Sequence, residues 1–167
     1  TSNTKTSAKH GKNNQVAMNL GQIAGEICKK VLSIPEEKFL GKSSGVAICT
    51  LSSIDLLKEI SKSDLMNKIA IAARLFSENK GIDELVRYVN QNPTLHTIIM
   101  CGKEVSGHRT GHALFCLHKY GTDHTNRIIS SVSPDPVLTV SKEEIANFQK
   151  VRLVDLIGKT ELVDIVF

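Results

Sequence analysis

Apolar residues recur along the chain in two alternating rhythms. From Gln15 to Ser33, Val16, Leu20, Ile23, Ile27 and Val31 fall three to four positions apart, the stripe of an amphipathic helix, and Pro35 follows its end. The run GVAICTL (45–51), after the Gly/Ser stretch GKSSG, is continuous rather than striped and predicts a buried strand. IDLLKEI returns to helical spacing for a turn or two, and KIAIAARLF (68–76) is a second continuous run. GIDELVRYVNQ carries Ile82, Leu85, Val86 and Val89 on one face and stops before Pro93. LHTIIMCG (95–102) predicts a third strand, and a helix from Gly107 to about Lys119 is capped by Gly121. Farther on, NRIISSV (126–132) reads as a fourth strand and SKEEIANFQ as a helix opened by the capping-box pair Ser141 and Glu144. VRLVDLI and ELVDIVF have the lengths to pair as a hairpin across GKT.

Strands alternating with helices of this length predict an α/β fold, a three-layer sandwich with a mainly parallel sheet. The expected parallel neighbours are 45–51, 68–75, 95–101 and 126–132, with the C-terminal hairpin at an edge. A disordered polar tail is expected over 1–14 and one domain over 15–167. In such sheets ligands bind beyond the carboxyl ends of the strands, near a switch in strand order.

Composition narrows the function classes. The chain has 167 residues, 41% of them hydrophobic, enough for one core and too few for two. Its net charge of +4 is spread out, with no basic cluster longer than Lys29-Lys30, and with five Phe, two Tyr and no Trp there are few stacking groups, so nucleic acid is not expected as a partner. Cys28, Cys49, Cys101 and Cys116 sit in apolar surroundings without a CxxC pair, as in reduced thiols of a cytoplasmic protein. No apolar stretch reaches the roughly 18–20 residues of a membrane helix, and TSNTKTSAKHGKNNQ lacks a signal-peptide core. A soluble protein is expected.

The chemistry concentrates in CGKEVSGHRTGHALFCLHKYG (101–121), at the end of the third predicted strand. Gly102 and Gly107 have phosphate-loop spacing, but His108 and Arg109 stand where that loop carries Lys and Ser or Thr. GVAICTLSS has no glycine after Thr50, so a dinucleotide fingerprint is absent too. His108 and His112 are four residues apart, a zinc-ligand spacing on a helix, with His118 and His124 nearby and Arg109 in place of a metalloprotease glutamate. Gly107 and Gly111 flank His108 and permit either a tight turn or the close approach of a bulky ligand. A histidine in the first turn of a helix is held neutral by the helix dipole, and neutral imidazole is the form that ligates metals.

From GVAICTL to Gly158 the chain resembles the soluble part of the A subunit of tetrahydromethanopterin S-methyltransferase. The resemblance is carried by Thr50-Leu51, SENKGIDELV (77–86), Asn92-Pro93, CGKEVSGHRTGHAL (101–114), LHKYG, RIIS and FQKVRLVDLIG (148–158). It implies a Rossmann-like domain holding a cobalamin-type corrinoid, with His108 as the lower axial ligand of cobalt. The cofactor-binding set carried over is His108, Gly107, Gly111, Thr110, Glu104, Thr50, Leu51, Glu78 and Asn79, with Glu104 or another nearby carboxylate on the second ring nitrogen. The implied role is methyl carrier from a methylated pterin to a thiol, alongside partner methyltransferases. The segment SVSPDPVLTVS (131–141) departs from the family's Gly/Ala-rich loop. The other reading is a non-catalytic descendant that has lost the corrinoid and binds another small ligand or a protein.

Overall fold

The computed structural model describes residues 38–165. The amphipathic segment 15–33 and the polar stretch 1–14 lie outside the described residues. In chain order come β1 (Lys38–Leu40), β2 (Val46–Cys49), α1 (Ile54–Ser61), a 3-10 turn at Asp64–Asn67, β3 (Ile71–Ala73), α2 (Lys80–Gln91) and β4 (Thr97–Gly102). They are followed by α3 (Thr110–Tyr120), α4 (Lys142–Gln149), β5 (Arg152–Ile157) and a 3-10 turn at Leu162–Asp164. Among the described residues one sheet forms, in the order β1-β3-β2-β4-β5. The last four are mutually parallel, and β1 pairs antiparallel with β3 at the edge. The chain adopts the mainly parallel, Rossmann-like α/β fold that its alternating rhythms predict.

Successive strand residues point to opposite faces of a sheet, and the core divides accordingly. Ala47, Cys49, Ile98 and Met100 pack with Val86, Leu114, Leu117 and Phe148 of α2, α3 and α4. Ile48, Ala72, Ile99 and Cys101 pack on the other face with Leu56, Leu57 and Ile60 of α1 and with Ile165. Two faces buried at once explain why these strands read as continuous apolar runs. The capping box is present, since Ser141 accepts from the Glu144 amide and Glu144 accepts from the Ser141 amide. Gly121 caps α3 at a φ of +71°. Among the described residues no helix is long and apolar enough to cross a membrane.

Two sequence expectations are corrected. Residues 126–132 are not a strand of the sheet and make only isolated bridges, Thr122 with Ile128 and Arg127 with Val137. Asn126 and Ser130 both lie at φ +64°, which breaks an extended run, and Asn126 Nδ2 turns back to donate to the Leu138 and Val140 carbonyls. The fourth parallel strand is instead β5, registered against β4 from Thr97–Arg152 to Gly102–Ile157. Nor, among the described residues, does the C-terminal hairpin form: after Gly158 the chain folds into the 3-10 turn, and Leu162 and Ile165 pack into the core beside α1.

Connections position the site. After β2 the chain crosses through α1 on one face to β3, and after β4 it leaves through α3 and α4 on the opposite face to β5. Strand order therefore switches between β2 and β4, and a crevice is expected at their carboxyl ends.

Candidate functional site

The loops leaving that carboxyl edge carry the residues singled out in the sequence. Thr50 and Leu51 follow β2, Glu78 and Asn79 lie between β3 and α2, and the stretch from Glu104 to His108 lies between β4 and α3. Helix α3 starts at Thr110, with Arg109 as its N-terminal cap in the left-handed region at φ +48°. His108 therefore stands on the turn ahead of the helix, not in its first turn. The shared helical face invoked for a His108–His112 zinc pair is absent. His112 sits inside α3 with its ring 3.8 Å from Cys116 Sγ. Among the described residues no group of three or more His, Cys, Asp or Glu side chains is arranged to hold a metal ion.

Glu104 shapes the turn. Its Oε1 accepts from the amides of Val105 and Gly111 at 2.8 and 2.9 Å, and its Oε2 accepts from the amide of His112 at 2.9 Å. A carboxylate here satisfies two amides that the start of a helix leaves unpaired and complements the positive end of its dipole. Gly111 is required by that cap, since a Cβ there would lie 2.8 Å from Glu104 Oε2 and 2.7 Å from Ile157 Cδ1. Gly107 differs: it lies at φ +79° with nothing within 4 Å of an added Cβ. Of the two glycines, one admits packing within the protein and the other opens onto space.

Glu78, not Glu104, holds the imidazole. Its Oε2 lies 2.9 Å from His108 Nδ1, with the Glu78 side chain 3% and the His108 side chain 56% exposed. The other oxygen accepts from the Asp135 amide at 3.1 Å. Burial works to raise the Glu78 pKa, but hydrogen bonds from its own amide and that of Asp135, and then the contact with His108, outweigh it and hold the carboxyl below the ordinary glutamate value. An ionised carboxylate only accepts, so in the neutral ring the proton sits on Nδ1 and Nε2 keeps its lone pair.

Loop 131–137 braces this pair. Asn79 caps α2 by accepting from the Lys80 amide at 2.7 Å and donates through Nδ2 to the Asp135 carbonyl at 3.2 Å. Thr110 Oγ1 donates to the Phe76 carbonyl at 2.8 Å, and Ser133 Oγ donates to the Arg109 carbonyl at 3.3 Å. Phe76 and Val132, next along those hydrogen-bonded segments, are 37% and 58% exposed and leave apolar surface there. Thr50 and Leu51 are fully buried: the Thr50 amide donates to the Ala73 carbonyl at 2.9 Å, and the Leu51 side chain lies against Gly111. These two shape the floor beneath the turn, as do the buried Thr110 and Gly111. Ser133 and Asp135 were missed by sequence reasoning, because one acts through its hydroxyl on a distant carbonyl and the other through its backbone amide. The dipeptides Ser133-Pro134 and Asp135-Pro136 signal a stiff loop but not what it grips.

An exposed imidazole backed by a buried carboxylate thus stands at the switch point of a mainly parallel α/β sheet. The family model for the A subunit of tetrahydromethanopterin S-methyltransferase matches residues 36–166, and the chain belongs to that family. Among its relatives, the A subunit of the putative methyltransferase Mtx of Methanosarcina barkeri is 32% identical over 124 residues, covering 73% of this chain and 59% of that one. The second tetrahydromethanopterin S-methyltransferase A subunit of Methanothermobacter thermautotrophicus is 35% identical over 119 residues, covering 70% of this chain and 62% of the relative. The protein of that description from Methanothermobacter marburgensis is 36% identical, with 68% and 60% covered. The chain thus spans about three-fifths of the length of these relatives.

Proposed function

We propose that this chain is a methyl-carrier domain holding a cobalamin-type corrinoid through Nε2 of His108 as the lower axial ligand, in methyl transfer from a methylated pterin to a thiol. The observation that carries the reading is the Glu78–His108 pair, in which a buried carboxylate occupies one ring nitrogen of an exposed imidazole and leaves the other with its lone pair. Such a corrinoid supplies, when bound, a cobalt centre that takes up and releases a methyl group. The chain's own residues do the positioning. Glu78 fixes the tautomer and makes Nε2 a better donor, Glu104 holds the turn at the head of α3, and Gly107 leaves the approach to the ring open. Phe76 and Val132 offer apolar surface to the edge of a macrocycle. A cytoplasmic setting and partner proteins that load and unload the methyl group belong to the same proposal.

The test is the visible spectrum of the purified chain after incubation with hydroxocobalamin and gel filtration. Retained corrinoid, with a spectrum that His108→Ala shifts away from imidazole ligation, is the expected result. Wild-type protein that emerges colourless sinks the reading in favour of a descendant without the cofactor. Identical spectra of the wild-type and variant proteins exclude His108 as the ligand.

A further inference from the structure

A concave site lies away from His108, between α2 and the sheet at β1, β3 and β2. It is a cavity of about 360 Å3, within the range of small-molecule sites. Its sheet wall includes Ala47, Ile71 and Ala73, and the short alanine side chains leave the space that larger residues would fill. Its helix wall includes Arg87 and Tyr88, and Lys38 of β1, which pairs with Ala73, lines the same cavity. Arg87 is positioned by donating to Thr139 Oγ1 at 2.8 Å. Arg74, also in the lining, has its guanidinium 3.5 Å from the centre of the Phe76 ring. Beside Lys38 and Arg87 the described lining has one carboxylate, Glu84. Partial burial raises the pKa of Tyr88, which stays a neutral hydroxyl donor at physiological pH. Neither His108, Glu78 nor any residue of the 104–111 turn contributes to the lining.

We propose that this cavity binds a small cyclic organic anion, its ring against Ala73 and Leu85 and its carboxylate or sulfonate toward Lys38 and Arg87. An apolar wall beside like-signed cations selects such a molecule: the ring gains from leaving water, and the anionic group meets a net positive lining. The inference is independent of the corrinoid reading.

The experiment uses the full chain and 8-anilinonaphthalene-1-sulfonate as probe, followed by fluorescence titration, with N-phenyl-1-naphthylamine as the uncharged comparison. One-to-one binding of the sulfonate is expected. Lys38→Gln and Arg87→Gln, both at exposed positions, each weaken it by roughly threefold, and the double variant by about tenfold, the scale of partly solvated ion pairs. The uncharged probe should not respond to these changes. Ala73→Leu should abolish binding of both probes by filling the cavity, and His108→Ala should leave both unchanged. Sulfonate binding unaltered in the double variant and in Ala73→Leu overturns the proposal. Loss of binding in His108→Ala, with the fold intact by circular dichroism, also overturns it by placing the probe at the other site.

Discussion

Glu78 Oε2 lies 2.9 Å from His108 Nδ1, while the second oxygen of the same carboxylate accepts from the Asp135 amide at 3.1 Å. One buried side chain thus joins the loop after β3, the turn ahead of α3 and the loop before α4. Both oxygens must accept for the junction to hold. Glu78→Gln preserves shape but offers only one acceptor, so one of the two donors then faces an amide NH2. The half-exposed imidazole can answer that NH2 by carrying its proton on Nε2 instead, so the cost is the exchange of charge-assisted hydrogen bonds for neutral ones, on the order of 1 kcal/mol in urea unfolding. The nitrogen chemical shifts of His108 should also lose the preference for a proton on Nδ1. Unchanged shifts and stability would show that the pair does not orient the ring.

The same carboxylate sets a pH dependence. Its pKa is lowered in the folded chain, since hydrogen bonds from its own amide and that of Asp135 and the contact with His108 outweigh the effect of burial. A group held lower in the folded state contributes stability above its unfolded pKa, about 4.3 for glutamate, and loses it as pH falls through the folded value. Stability measured from pH 6 down to pH 3 should therefore fall more steeply in wild-type protein than in Glu78→Gln. Parallel curves would remove Glu78 from the acid sensitivity of the fold.

Much of this arrangement was legible in the sequence, and the physical reasons for the exceptions are particular. The continuous runs at β2, β3 and β4 announced doubly buried strands because helices cover both faces of the sheet. The run NRIISSV offers the adjacent pair Ile128-Ile129 in the same way, yet Asn126 and Ser130 adopt positive φ and tie the segment to its neighbours rather than to a strand. No local pattern reports that choice. The histidine turn was visible from its glycines, but their roles were not: Gly111 answers to Glu104 and Ile157, the latter 46 residues away in sequence. Assigning Glu104 to the imidazole followed from its nearness in sequence, whereas Glu78 is brought in from the β3 loop by the parallel crossover. Contacts across 30 residues, like that of Glu78 with His108, depend on strand order, which periodicity does not specify.

The two flanking glycines should respond differently to alanine. Gly111→Ala places a methyl group against Ile157 Cδ1 at 2.7 Å and Glu104 Oε2 at 2.8 Å, an overpacking that costs about 1–3 kcal/mol. It should also push Glu104 away and speed hydrogen exchange of the residue 111 and His112 amides. Gly107→Ala meets no atom, and its left-handed φ of +79° costs about 1–2 kcal/mol through backbone strain alone. Exchange at the α3 amides should then be unaffected. Faster exchange there in Gly107→Ala and not in Gly111→Ala would reverse the roles assigned to the two residues.

Burial also predicts thiol behaviour. Desolvation pushes Cys49 and Cys101 up to about 12, and both are shielded by the sheet and its helices. Because the thiolate is the nucleophile, neither should react with iodoacetamide at pH 8 in the native protein, while both should react after unfolding in guanidinium. Peptide mapping by mass spectrometry distinguishes them from Cys28 and Cys116. Rapid native labelling at Cys49 or Cys101 would mean that the sheet opens far more readily than its packing implies.

The separate positions of His108 and His112 lead to a final prediction about ligation. His112 lies inside α3 with its ring 3.8 Å from Cys116 Sγ, whereas His108 lies ahead of the helix and bonds to Glu78. A zinc site built on both would need additional donors around a shared centre, and removing either ring would then abolish metal binding. A corrinoid takes one protein nitrogen, since its macrocycle supplies the equatorial four. His112→Ala is therefore expected to retain hydroxocobalamin with the imidazole-ligated spectrum of the wild type, while His108→Ala does not keep that spectrum. Elemental analysis of wild-type protein should find no stoichiometric zinc. Stoichiometric zinc lost in both histidine variants would replace the corrinoid reading with a first-row metal site.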